Sequence, residues 1–446
     1  LFGGTLQQGQ PGYVSGFLGG VVADEPSAVL IARQVLAAGG NAADAAAALG
    51  LALSVTLPSR AGLGGGGACL VYNPDKKSIN AGVPEAISFT PIAAAHTPPG
   101  SDRPAAVPML ARGLFALQSR YGHLPFEGLI VPAEQMARFG TPVSRAFARD
   151  LAVVAQPLLA DPGARAVFGP NGVVLAEGAK MLQPDLAATL SNLRVAGVGD
   201  LYQGVLARRL ADNSAAVGGA LTLDELRQAL PHVVPALEVP RGNDVVSFLP
   251  PPADGGLAAA AAFAALGANP QALDAAQARA IAVAALWRKA GGDAVAVLRA
   301  PAPVALLPLL PASTSFVTLD RDGGAVACAL TMDNLFGTGR IVPGTGMLLA
   351  ASPAAAPPPL LAAAIAWNRN IHAFRAAVGG SGQNEAALAV AVGMSNALRA
   401  SAPMPVPVPE PGRANVIICS GYLPGEPDSC RWATDPRGAG LAVGSN

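Results

Sequence analysis

Residues 42–53 of this chain, Ala-Ala-Asp-Ala-Ala-Ala-Ala-Leu-Gly-Leu-Ala-Leu, have the length of a helix and one polar side chain, Asp44. A helix that is apolar all round is stable only where other elements cover every face. The segment therefore demands a layered fold with structure on both sides of it. Just upstream, residues 28–38 read as a second apolar helix. Gly39-Gly40 stops that helix, and Asn41 suits the cap of the next.

Composition supplies what such layers need. Of 446 residues, 51% are hydrophobic and 13% charged, enough for a large core and too apolar for disorder. The length allows one large domain or two to three ordinary ones. Net charge is zero and no basic stripe occurs, which argues against nucleic acid. No polybasic amphipathic segment offers a membrane-surface anchor. Mean hydropathy is +0.41, but a membrane span needs about 20 consecutive apolar residues. Candidates such as 257–266 end sooner, so the chain is not expected to be transmembrane. The apolar excess is mostly Ala, Val and Leu, which an interior or an apolar surface for a protein partner could absorb. The chain starts at Leu1, read here as a chain that has lost a leader.

Four consecutive glycines, Gly64–Gly67, precede a strand at 68–73. They permit close backbone approach. A phosphate-cradling loop is disfavoured, because no Lys-Ser/Thr follows and a strand comes next. Residues 106–230 alternate helical stretches with turns. A strand at 243–249 leads into Pro250-Pro251-Pro252-Ala253-Asp254-Gly255-Gly256 and helices at 257–266 and 276–289. The Pro-rich stretch 301–312 reads as extended. Strands at 315–319 and 325–330 flank the turn Asp320-Arg321-Asp322-Gly323-Gly324. A buried helix at 385–398, a Pro-rich connector at 402–411 and a strand at 416–419 follow.

Cys419 and Cys430 flank a turn-rich stretch and suit a disulfide, with two free thiols as the alternative. A disulfide implies an oxidising compartment, periplasmic or secreted. Cys69 and Cys328 sit in strand interiors and read as small buried hydrophobes. No His, Cys or acidic cluster has ligand spacing, so neither metal nor cofactor is expected.

A set of motifs runs in order along the chain: Gly39-Gly40-Asn41-Ala42-Ala43-Asp44-Ala45, then Gly64–Gly67. Ala106-Val107-Pro108-Met109-Leu110-Ala111-Arg112-Gly113, Tyr121-Gly122 and the 250–256 segment follow. Phe316 to Asp320, Asn334-Leu335-Phe336-Gly337-Thr338-Gly339 and Thr434-Asp435-Pro436-Arg437-Gly438 complete it. The set resembles the γ-glutamyltransferases, a family of N-terminal-nucleophile hydrolases. The resemblance implies an α+β fold, a four-layer αββα sandwich over 1–446. It also implies a large-subunit-like part, 1–312, and a small-subunit-like part, 313–446. In that family a precursor cuts itself, and the new N-terminal Thr acts as nucleophile with its own α-amine as base.

Counted back from Asp320, the nucleophile position falls on Ser313, with Thr314 beside it for substrate contact. Thr331 falls where a second Thr assists the nucleophile, and Asp333 where an Asn touches substrate. Gly379-Gly380 resembles the oxyanion pair, with Gly382 as the alternative two residues on. Each also has a plain reading: a loop Ser after a linker, a strand Thr, a Gly turn before a helix.

Three departures bear on function. The stretch 79–85 lacks the Arg that grips a substrate carboxylate, a contact hard to replace. Where an Asp should bind the substrate amine, the chain runs Ala350-Ala351-Ser352-Pro353-Ala354-Ala355-Ala356. Where a Ser pair should follow, Leu361-Ala362-Ala363 stands. The segments 256–313 and beyond 349 are also short, and Ala312 replaces the Gly usual before the nucleophile. A glutamyl group's charges would stay uncompensated. The expectation is an inactive, uncut accessory or scaffold subunit, a pseudoenzyme. The alternative is an active, self-cleaving amidohydrolase or acyltransferase using Ser313 on a non-glutamyl small-molecule amide or peptide.

Overall fold

A computed structural model describes residues 16–307, 312–399 and 407–444. The strands are β1 (Gly19–Ala23), β2 (Gly66–Tyr72), β3 (Glu85–Phe89), β4 (His232–Pro235), β5 (Leu237–Arg241), β6 (Asp244–Phe248) and β7 (Ser313–Asp320). They continue as β8 (Ala325–Thr331), β9 (Ala362–Asn368), β10 (Ala373–Ser381), β11 (Arg413–Leu423), β12 (Cys430–Thr434) and β13 (Leu441–Gly444). Among the described residues they form a seven-stranded sheet, β13-β1-β7-β8-β2-β3-β4, and a six-stranded sheet, β12-β11-β10-β9-β6-β5.

The apolar segment that opened the sequence reading is helix Ala42–Thr56, and every residue of it is buried. Asn41 and Asp44 close a capping box at its start, satisfying two orphan N–H groups reciprocally. The one polar side chain is fully used. Asp44 also accepts from Gln118 Nε2 at 2.8 Å and from the His123 and Leu124 amides. The helix before it, Pro26–Ala37, starts with the Glu25 carboxylate accepting from Ser27 and Ala28 N–H. It ends at Gly39, whose φ of 89° suits glycine.

Three apolar cores separate four layers. Helices around Ala42–Thr56 pack on the first sheet through Phe316, Cys328 and Leu330. Val317, Leu319, Ala327, Ile365, Ala377 and Ile417 fill the space between the sheets. On the far side Phe248 and Val378 meet Leu257, Phe263 and Val390 of helices Gly255–Ala268 and Ala386–Arg399. The alternation along β7 follows from the pleat, which sends successive side chains to opposite faces. This is the α+β helix–sheet–sheet–helix sandwich that the motifs implied.

The hairpin expected at 315–330 is present and longer, running from Ser313 to Thr331. Strands β9 and β10 were not foreseen. They read Ala-Ala-Ala-Ile-Ala-Trp-Asn and Ala-Phe-Arg-Ala-Ala-Val-Gly-Gly-Ser, and alanine has poor intrinsic strand preference. Both are buried throughout, with a sheet on one face and a helix on the other, where small side chains fit. Residues 308–311 of the Pro-rich linker and 400–406 of the later connector lie outside the described residues; 301–307 has no regular structure.

Cys419 and Cys430 are bonded as expected. Cys69 and Cys328, read as free buried thiols, form a second disulfide with Cα atoms 4.1 Å apart. They are direct register partners on β2 and β8. A separation of 259 residues hides that pairing from any local reading. No helix among the described residues is long and apolar enough to cross a membrane.

Candidate active site

Strand pairing assembles the site. Ser313 opens β7 and Thr331 closes β8, and the two are register partners. Thr331 Oγ1 donates to the Ala312 carbonyl at 2.7 Å and accepts from the Asp333 amide at 2.9 Å. Its hydroxyl is thereby fixed on the carbonyl of the peptide bond that precedes Ser313. Ser313 is fully buried, and its Oγ has no hydrogen-bond partner among the described residues. From the other side Arg60 donates Nη1 to the Ser313 carbonyl at 2.9 Å. Its Nε and Nη2 grip both oxygens of Asp150 at 2.8 Å each, a bidentate pairing that fixes the guanidinium plane.

Thr314, expected near substrate, points to the opposite face. Its Oγ1 donates to Asp24 at 2.7 Å, and the Ser315 amide reaches the same carboxylate oxygen. Asn415 on β11 completes the cluster. Its Nδ2 donates to Asp24 Oδ1, Ser315 O and Ser315 Oγ, each at 3.0 Å, while Thr434 Oγ1 donates to its Oδ1 at 2.7 Å. The first three strand residues are thus clamped from two sheets and a helix turn.

Gly379 and Gly380 lie inside β10, paired on both edges, not in a turn ahead of a helix. A Cβ on Gly379 would come within 2.9 Å of the Ser315 side chain, and one on Gly380 within 2.4 Å of the Ala386 carbonyl. The pair packs against Ser315 and the outer helix. The left-handed turn is two residues on, with φ 107° at Gly382 and 57° at Gln383. No described residue accepts from either N–H. Successive amides in such a turn form an anion-binding concavity.

Asp333 is fully buried in a left-handed conformation, φ 57°. Neither carboxylate oxygen has a partner. Burial pushes its carboxyl up to about 8, with Arg288 pulling the other way. Arg288 is itself held by Asp254, at 2.5 and 3.1 Å, and by the Pro358 carbonyl. Residues 350–352, where an acidic group was absent from the sequence, are buried and tied by backbone bonds to Gly64, Met332 and Pro104.

A cleft of about 210 Å³ is lined by Asp24 and Arg60, which bond Thr314 and the Ser313 carbonyl, and by Arg149, Ser381, Pro411 and Arg413 among others. Asp24, Arg60, Asp150 and Asn415 escaped the sequence reading. Their partners lie far away in sequence, and no local motif marks them.

Two stacked antiparallel sheets between helical layers define the N-terminal-nucleophile hydrolase class. The gamma-glutamyltranspeptidase family model matches residues 28–290, and the chain belongs to that family. It is 33% identical over 245 residues to Glutathione hydrolase 3 of Arabidopsis thaliana, covering 53% of this chain and 38% of that protein. It is 32% identical over 259 residues to the Glutathione hydrolase proenzyme of Bacillus subtilis strain 168, covering 54% and 43%. The chain thus spans less than half the length of these relatives. A cephalosporin acylase crystal structure from Bacillus halodurans matches it along 99% of both chains, with a TM-score of 0.77 and 19% identity. That likeness shows the fold.

Proposed function

We propose that the chain is a self-cleaving amidohydrolase or acyltransferase of an exported compartment, with Ser313 as nucleophile and a substrate other than a glutamyl amide. The observation that carries this reading is the Thr331 hydroxyl, 2.7 Å from the Ala312 carbonyl, beside an unpartnered, fully buried Ser313 hydroxyl. Buried polar groups are normally paired, and an orphan costs about 1–3 kcal/mol. A hydroxyl kept unpaired next to a polarised carbonyl is suited to attack it.

In the first step Ser313 Oγ adds to the Ala312 carbonyl carbon and closes a five-membered ring. Thr331 Oγ1–H donates to the oxyanion that forms. Collapse breaks the C–N bond, and the hydroxyl proton ends on the Ser313 nitrogen. Water then hydrolyses the ester, leaving an Ala312 carboxylate and a free Ser313 α-amine. That amine serves as base in later turnovers, with the Gly382 and Gln383 amides as oxyanion donors. Asp333, raised to about 8, is protonated at neutral pH and offers one donor and one acceptor, as the Asn of the family does. Residues 350–356 carry no acidic group and 361–363 no Ser pair where the family grips a glutamyl head, which supports an acyl group other than glutamyl. Two disulfides support the oxidising compartment.

The second reading is an uncut scaffold or accessory subunit. Complete burial of Ser313, with no base at hydrogen-bond distance among the described residues, supports it. The intact mass of the reduced, purified protein decides between them. A fragment beginning Ser313-Thr314-Ser315 is expected. A single full-length mass after prolonged incubation leaves the scaffold.

A further inference from the structure

We infer that the Cys69–Cys328 disulfide makes the two halves of this molecule one covalent unit across its linker. A cut anywhere in 301–312 then divides the backbone without releasing either piece. The sulfur bridge joins β2, on the N-terminal side of the linker, to β8 on the C-terminal side. The other bridge, Cys419–Cys430, lies wholly on the C-terminal side. Residues 301–307 are open to attack: Val304 and Leu306 are 92% and 93% exposed, and the segment has no regular structure. The bridge spans the linker whether or not the chain cuts itself.

The bridge changes what kind of molecule the cut form is. Both sheets interleave strands from the two sides, β1, β2, β3 and β4 with β7, β8 and β13 in one, β5 and β6 with β9 to β12 in the other. While folded, the pieces are held by those ladders in any case. The difference appears on unfolding. Without the bridge, each opening frees two chains whose reassembly depends on concentration. With it, the pieces stay within reach of each other, and refolding remains intramolecular. Cys69 and Cys328 are both fully buried, so the native fold shields the bond. Two equivalents of thiol, such as one dithiothreitol that leaves as a cyclic disulfide, convert it to two thiols once the chain is opened.

Thermolysin, which cuts ahead of large apolar residues, nicks the intact protein at Val304 or Leu306. A protease recognition sequence inserted between Ala305 and Leu306 gives the same nick if thermolysin attacks elsewhere. On a denaturing gel without reductant the nicked protein should run as one species, and with dithiothreitol as two. In the double variant C69A/C328A the two pieces should separate without reductant. After denaturant is diluted out, the oxidised nicked protein should recover the same folded fraction over a hundredfold range of concentration. The reduced one should lose recovery on dilution. Two pieces from the wild-type nicked protein without reductant, or concentration-dependent recovery of the oxidised form, overturns the inference. The un-nicked, reduced sample reports self-cleavage separately, so failure of the proposed activity is seen as one band there.

Discussion

The two ends of strand β7 are both buried and both polar, yet they are built on opposite terms. At its C-terminal end Asp320 accepts from the Ala42 amide at 2.9 Å, Asp322 at 3.0 Å and Gly324 at 2.9 Å. It closes a turn and ties the strand to the N-terminus of helix Ala42–Thr56. At the other end, Ser313 Oγ and both oxygens of Asp333 have no partner. Burial raises both acids, Asp320 to about 6 and Asp333 to about 8. Three backbone donors hold the first lower, and no hydrogen bond does so for the second. Full satisfaction marks a structural joint. Orphaned groups beside a polarised carbonyl mark the end where chemistry is proposed.

Substitutions at the two ends should therefore fail differently. Ser313→Ala should abolish the cut and leave a full-length mass, with thermal stability close to wild type. Continued cleavage at 312/313 in that variant removes Ser313 as nucleophile. Thr331→Val keeps the shape and removes the donor, so the cut should slow by about 10²–10³-fold, the usual loss for one oxyanion donor. A time course of intact mass measures it. At the structural end, Asp320→Ala strands two buried amides and a part-buried one and should cost about 2–3 kcal/mol of stability in denaturant titration, with cleavage of the folded fraction retained.

The smallest effect concerns pH. A carboxyl whose folded value lies above its unfolded one binds its proton more tightly when folded. Its stabilisation is complete below the ordinary carboxylate range and lost as pH rises to about 8 for Asp333. Asp333→Asn should flatten that decline and raise stability at pH 8 by about 1–2 kcal/mol, with little change near pH 4. Equal gains at both pH values would show that ionisation is not the cause.

The sequence exposed unequal parts of this contrast. The Asp320 end was legible, because a turn such as Asp-Arg-Asp-Gly-Gly between alternating strands is a local pattern. The Ser313 position followed by counting from Asp320. Its surroundings did not, since Arg60, Asp24 and Asn415 come from elements 253, 290 and 100 residues away at their contacts. The packing of Gly379-Gly380 was hidden for a related reason. A glycine pair signals backbone freedom, but here it admits the Ser315 side chain between two sheets, and the left-handed turn lies at Gly382.

By itself, the sequence determined that the first two helices must be buried and what starts and stops them. Caps, glycine stops and apolar periodicity act over three or four residues, so Asn41, Asp44 and Gly39 state their roles directly. Only the tertiary structure decided which buried groups meet. The Cys69–Cys328 bridge, the Thr331 hydroxyl on the Ala312 carbonyl and the Arg60 clamp all depend on strand register. A turn fixes register within the β7–β8 hairpin, but between strands far apart in sequence it follows from which faces the sheets bury, which no residue's near neighbours encode.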